Sequence, residues 1–153
     1  MSKSMRPMKE VLFLVVHCTA TRPSQRVTVE DIDNWHRGRG WAKIGYHWYI
    51  DREGNIHQGR GEQYEGAHLR HYNQHAIGIC YEGGRDEKGR SEDTRTPAQK
   101  AALHFLLQDL KDSYPKAKIC GHRDFPNVRK DCPSFDAMTE YADLTPTPAT
   151  SHA

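Results

Sequence analysis

The run Val11-Leu-Phe-Leu-Val-Val16, with His17 at its exit, constrains the fold more than any other stretch of the chain. Six apolar residues in a row, without alternation, describe a strand covered on both faces, which belongs at the centre of a sheet. A strand of that kind needs a layer on each side, and the rest of the pattern offers them. Thr28 provides an N-cap with an acidic first turn, and Val29, Ile32 and Trp35 or His36 then recur at helical spacing until Gly38 and Gly40. Residues 46–58 read as a hairpin turning at Gly54-Asn55, and residues 59–74 as a surface loop. Ala76–Tyr81 reads as a further strand. Thr96-Pro-Ala-Gln99 is a capping box that opens a helix with Leu103, Leu106, Leu107, Leu110 and Tyr114 on one face. Lys118–Cys120 predicts a short strand and Phe135–Ala142 a last helix. Hairpin and crossover connections together predict a sheet packed by helices, α/β or α+β in class.

The chain has 153 residues, about the length of one domain. We expect a polar segment over 1–10, one folded domain over 11–142, and a disordered tail over 143–153, where Thr145-Pro-Thr-Pro148 blocks regular structure. The net charge of +2 is too mild to signal nucleic acid, yet it suits approach to an anionic surface such as a cell wall. The longest apolar run falls far short of the roughly 20 residues of a membrane span, and no cleavable signal peptide is expected. Synthesis and first residence are therefore expected in the cytoplasm, where Cys18, Cys80, Cys120 and Cys132 stay reduced. No CxxC pair occurs among them, which argues against a disulfide framework or a four-cysteine zinc site.

Three potential metal ligands stand at the ends of predicted elements: His17 after the central strand, His122 after the last strand, and Cys132 before Pro133. Zinc takes imidazole and thiolate, and a catalytic zinc keeps three protein ligands with the fourth position left to water, whose pKa falls to about 7. In a chain with 10 histidines, ordinary histidines and a buried thiol explain the spacing equally well.

The strings Val16-His-Cys-Thr-Ala-Thr21, Gly40-Trp-Ala-Lys-Ile-Gly-Tyr-His47 and Lys130-Asp-Cys-Pro-Ser-Phe-Asp136 closely resemble the zinc amidases typified by the amidase lysozymes of T-odd phages. The resemblance runs in order from about Val11 to Asp136, and peptidoglycan recognition proteins share the fold. It implies an α/β single domain, a central mixed β-sheet flanked by helices, with an open groove over a zinc ion. It further implies His17, His122 and Cys132 as zinc ligands and Tyr46 and Lys130 as catalytic residues. The implied reaction is zinc-dependent hydrolysis of the amide between N-acetylmuramic acid and L-alanine in peptidoglycan or free muropeptides, by a monomer. Both a lysis enzyme that reaches the wall after phage-type release and a recycling enzyme that works in the cytoplasm fit that expectation. A peptidoglycan-binding module of the same fold, without catalysis, is the alternative; such modules usually lack the ligand cysteine, and Cys132 is present.

A phenol at Tyr46 would orient the attacking water or pass its proton, and an ammonium at Lys130 would meet the oxyanion. His68, in Gly66-Ala-His68, resembles a groove position and is expected to touch substrate; a plain surface histidine is the competing reading. Trp35, Trp41 and Trp48 are expected in the core rather than on a sugar platform. The remaining histidines are expected to be structural or solvated, and strand alternation turns Cys18 away from His17.

Overall fold

A computed structural model describes residues 5–126, 128 and 130–148. The expected apolar strand is β1 (Phe13–Cys18), followed by helix α1 (Val29–Gly38), strands β2 (Trp48–Ile50), β3 (Ile56–Gln58) and β4 (Ala76–Tyr81), helix α2 (Pro97–Ser113), strand β5 (Lys118–Gly121) and a single turn of helix, α3 (Ala137–Glu140). The five strands form one sheet in the order β3-β2-β4-β1-β5. β1 is parallel to both of its neighbours, β4 and β5; β2 is parallel to β4, and β3 closes the edge antiparallel to β2. The fold is thus a single α/β domain with a mixed sheet. The central place of β1 explains its composition, since Leu14, Val15 and Val16 are all fully buried, on alternating faces.

α2 covers one face. Its Thr96–Gln99 capping box forms as the sequence predicts, with Pro97 in the first turn. Leu103, Leu106, Leu107 and Leu110 pack against Leu14, Val16, Ile77, Ile79 and Tyr81. Each such leucine contributes about 2 kcal/mol through the apolar area it removes from water. α1 covers part of the other face, where Ile32 and Val27 meet Ile44, Tyr49 and Cys80. Its Thr28–Asp31 capping box fixes where the helix starts. On the same face Leu69, Phe125 and the partly buried Tyr72 pack against Val15, Ala76 and Cys120, and a groove lined by Ile32, Tyr46 and Leu69 remains open.

The last helix is shorter than Phe135–Ala142. Phe135 is drawn into the core, and the Asp136 side chain caps the turn by accepting from the Thr139 N–H, so the helix begins only at Ala137. Segments outside the expected 11–142 domain also make defined contacts: Met8 donates its N–H to the Gln63 carbonyl, and Thr147 donates its N–H to Asp112 at the end of α2. The remainder of the expected tail, 149–153, lies outside the described residues.

Candidate metal centre and substrate groove

Register assembles the centre. His17 is the next-to-last residue of β1, and Val16 beside it pairs with Gly121, the last residue of β5. His122 therefore leaves β5 level with His17, and the two ring centroids are 4.6 Å apart. The chain turns tightly here: Gly121 donates its N–H to the Asp124 carboxylate at 2.7 Å. Cys132 arrives on a loop held at both ends. Arg123 N–H donates to the Cys132 carbonyl at 2.9 Å, the Tyr81 hydroxyl to the Pro133 carbonyl at 2.5 Å, and the Ser134 hydroxyl to the Gly84 carbonyl at 2.8 Å. The Cys18 N–H points at the Cys132 sulfur from 3.2 Å. The result is that one ligand atom each from His17, His122 and Cys132 lie within 4.8 Å of one another.

The donor chemistry fits a zinc ion. Burial holds His17 well below the usual imidazole value, with His68 and His122 adding to it. Burial, then the Lys130 charge, lowers His122 to about 4. Both rings are neutral near pH 7 and offer a lone pair, as a metal requires. The Cys18 thiol and burial push the Cys132 thiol well above its usual value, while the Cys18 N–H works in the opposite direction. A cation among these three donors would reverse that balance and take the thiolate.

The donors lie on the floor of a groove of about 600 Å³ that also receives Tyr46, His68 and Lys130, so all six residues singled out in the sequence meet here. Tyr46 precedes β2 in a segment fixed from two sides. The Gly45 N–H donates to His36 of α1 at 2.8 Å, and buried Arg60 donates to the Ile44 carbonyl at 2.9 Å. Gly45 must be glycine, since a Cβ there would stand 2.3 Å from the Ala67 carbonyl oxygen. The Tyr46 ring is centred 5.1 Å from that of His17, and burial raises its phenol well above the usual value, so it stays protonated. Lys130 is exposed at the rim. His68 is joined to His17 by a 2.9 Å hydrogen bond between Nδ1 and Nε2, and its own Nε2 meets the Ala76 carbonyl at 3.2 Å.

Of the tryptophans, Trp48 packs against the core as expected, while Trp35 and Trp41 do not. Trp35 is 48% exposed and lines the groove with Trp41, over which Arg39 stacks at 5.4 Å; Trp48 is half-buried, its indole N–H donating to Glu62. Ile32 and His36 take the inward positions of α1, which leaves Trp35 at the edge of its apolar face. Sequence reasoning also passed over Arg39 and Arg70. With Lys130 they make the groove lining cationic, and among the described residues no carboxylate lines it. Nothing in the local sequence marks those arginines off from solvated charges; only the fold brings them to one cleft.

Fold and donor set together define a class: a one-domain α/β protein with a mixed sheet, whose two histidines and one cysteine at the sheet's end could hold a metal ion. The chain belongs to the N-acetylmuramoyl-L-alanine amidase family, whose sequence profile matches residues 7–135, and it is an amidase. It is 43% identical to the endolysin of Escherichia phage T7 over 123 residues, 80% of each chain. It is likewise 43% identical to the endolysin of Enterobacteria phage K11 over 121 residues, 79% of each. Among solved structures, the N-acetylmuramoyl-L-alanine amidase LysC from Clostridium intestinale superposes with a TM-score of 0.78 at 30% identity, covering 94% of this chain and 91% of its own. No helix among the described residues is long and apolar enough to cross a membrane.

Proposed function

We propose that this amidase is a zinc enzyme of the endolysin kind, which hydrolyses the amide between N-acetylmuramic acid and L-alanine. One observation carries the reading: two neutral imidazoles and a thiol converge within 4.8 Å on the floor of a groove, in a chain of the amidase family. Zinc held by His17, His122 and Cys132 supplies a Lewis acid and an activated water.

The chain's own residues do the rest. Peptidoglycan stem peptides carry carboxylates, and Arg39 and Arg70 give the groove the opposite charge. The Tyr46 phenol, protonated at neutral pH, acts as a hydrogen-bond donor that orients the water or hands a proton towards the departing L-alanine amine. The Lys130 ammonium offsets the negative charge that develops on the carbonyl oxygen. A single chain furnishes the whole groove, which fits action as a monomer, and the endolysin relatives fit a protein kept in the cytoplasm until it is released onto the wall.

The test is digestion of purified peptidoglycan with and without a chelator. We expect new amino-terminal alanine with intact glycan chains, abolished by the chelator and restored by zinc. New reducing sugars, or activity indifferent to the chelator, would refute the proposal.

A further inference from the structure

His68 occupies a slot shaped to its ring. The imidazole lies on Gly78 of β4, where a Cβ would stand 2.8 Å from ring carbons Cγ and Cδ2, and beside Gly66, where a Cβ would stand 2.6 Å from Cδ2. Two glycines thus clear the space that the ring fills. Both ring nitrogens are spent inside the protein, Nε2 on the Ala76 carbonyl at 3.2 Å and Nδ1 on His17 Nε2 at 2.9 Å. His68 has no polar ring atom left for a substrate.

The hydrogen bonds fix where the protons sit. A carbonyl oxygen only accepts, so Nε2 of His68 carries the proton. In a neutral imidazole Nδ1 is then an acceptor, and the proton it accepts must come from His17 Nε2. His17 is left with its lone pair on Nδ1. Neighbouring His47 does not disturb the chain of bonds, because its Nδ1 accepts from the Gly78 N–H at 3.0 Å and its Nε2 donates to the Tyr64 carbonyl at 2.8 Å. The Ala76 carbonyl of β4 thus dictates the protons of His68 and, through it, of His17.

We propose that His68 is a positioning residue for the metal: anchored on Ala76, it takes the Nε2 proton of His17 and so presents Nδ1 of His17 to the ion shared with His122 and Cys132. The proposal rests on the zinc reading above. A partner that fixes the tautomer and ring angle of a ligand histidine is worth about 10-fold to 100-fold in metal affinity.

The test uses the full chain, with zinc as the probe. Nitrogen-15 spectra of the histidines in the metal-free protein should show His17 protonated at Nε2, and zinc should then move the Nδ1 resonance. Zinc affinity is measured by competition with a chromophoric chelator, with thermal unfolding to verify the fold. His68→Leu should weaken zinc binding by about 10-fold to 100-fold and leave His17 in a mixture of tautomers. His68→Asn, whose Oδ1 replaces the lost acceptor, should recover most of that loss. A purely structural role would not move the tautomer. His17 protonated at Nδ1 in the wild-type protein overturns the proposal even if His68→Leu does not fold, and so does unchanged zinc affinity in a folded His68→Leu. Wild-type protein that takes up no zinc removes the zinc reading and this proposal with it, whereas zinc bound with the other tautomer removes only the role of His68.

Discussion

The guanidinium carbon of Arg95 lies 3.4 Å above the centroid of the Phe135 ring, three residues beyond Cys132. The Arg95 side chain is 1% exposed and forks onto Asp93 and Glu140, each through two hydrogen bonds of 2.7–2.9 Å. It therefore ties the loop before α2 to α3 and, through Phe135, to the segment that delivers the thiol. Arg95→Met keeps the stem and removes the forks. We expect a loss of about 2 kcal/mol in stability, since the carboxylates are partly solvated, together with weaker zinc binding. An unchanged urea midpoint would count against the clasp.

The three-donor centre predicts one zinc per chain in protein purified without added metal. Cys132→Ala should lose zinc by more than the roughly 100-fold typical of an outer-shell change. Metal analysis and the release of amino-terminal alanine read the outcome; full zinc and full activity in that variant would end the assignment.

Tyr46 and Lys130 stand beside the metal site, so their replacement should lower turnover far more than wall binding or zinc content. Lys130→Met is expected to cost about 100-fold to 1,000-fold in kcat. Tyr46→Phe removes one hydroxyl and should cost about 100-fold or more if the phenol takes part in proton transfer. Wild-type turnover in both would refute the roles, and loss of zinc would recast them as supports of the centre.

Stability should depend on pH through buried histidines. Burial lowers His36 and His47 to about 4. Below pH 6.5 the unfolded chain binds protons that the folded chain does not, so stability falls as pH drops from about 6.5 and the loss is complete near pH 4. His47, with no exposed surface, accounts for about 3 kcal/mol of it. Urea midpoints for the metal-free protein at pH 7 and 4.5 provide the check; equal values would contradict the shift.

The sheet was legible in the chain because its signals are local. The unbroken run from Val11 to Val16 marks a central strand, and Thr96 with Gln99 marks the start of α2 to the residue. The donor trio was legible only through resemblance, since no spacing rule links residues that the β1–β5 register brings together. Trp35 was misplaced because a helix with Ile32 and His36 inward leaves position 35 on a border that periodicity does not resolve. The Arg95 fork and the His68 slot were invisible for a related reason: the first reaches Glu140 and the second His17, both distant in sequence, and Gly66 and Gly78 give no local sign of the ring that rests on them.

The Cys18 N–H reaches the Cys132 sulfur across 114 positions of sequence. A contact of that span forms only after β1 and the C-terminal loop have both found their places, so the centre cannot exist in a partly folded chain. Metal that binds there binds the native state alone, and free metal at a hundred times its dissociation constant adds about 2.7 kcal/mol to the folding equilibrium. On the zinc reading, metal occupancy would therefore report on the whole chain: a truncated copy lacking the last loop would have no third donor and would hold no ion at this centre.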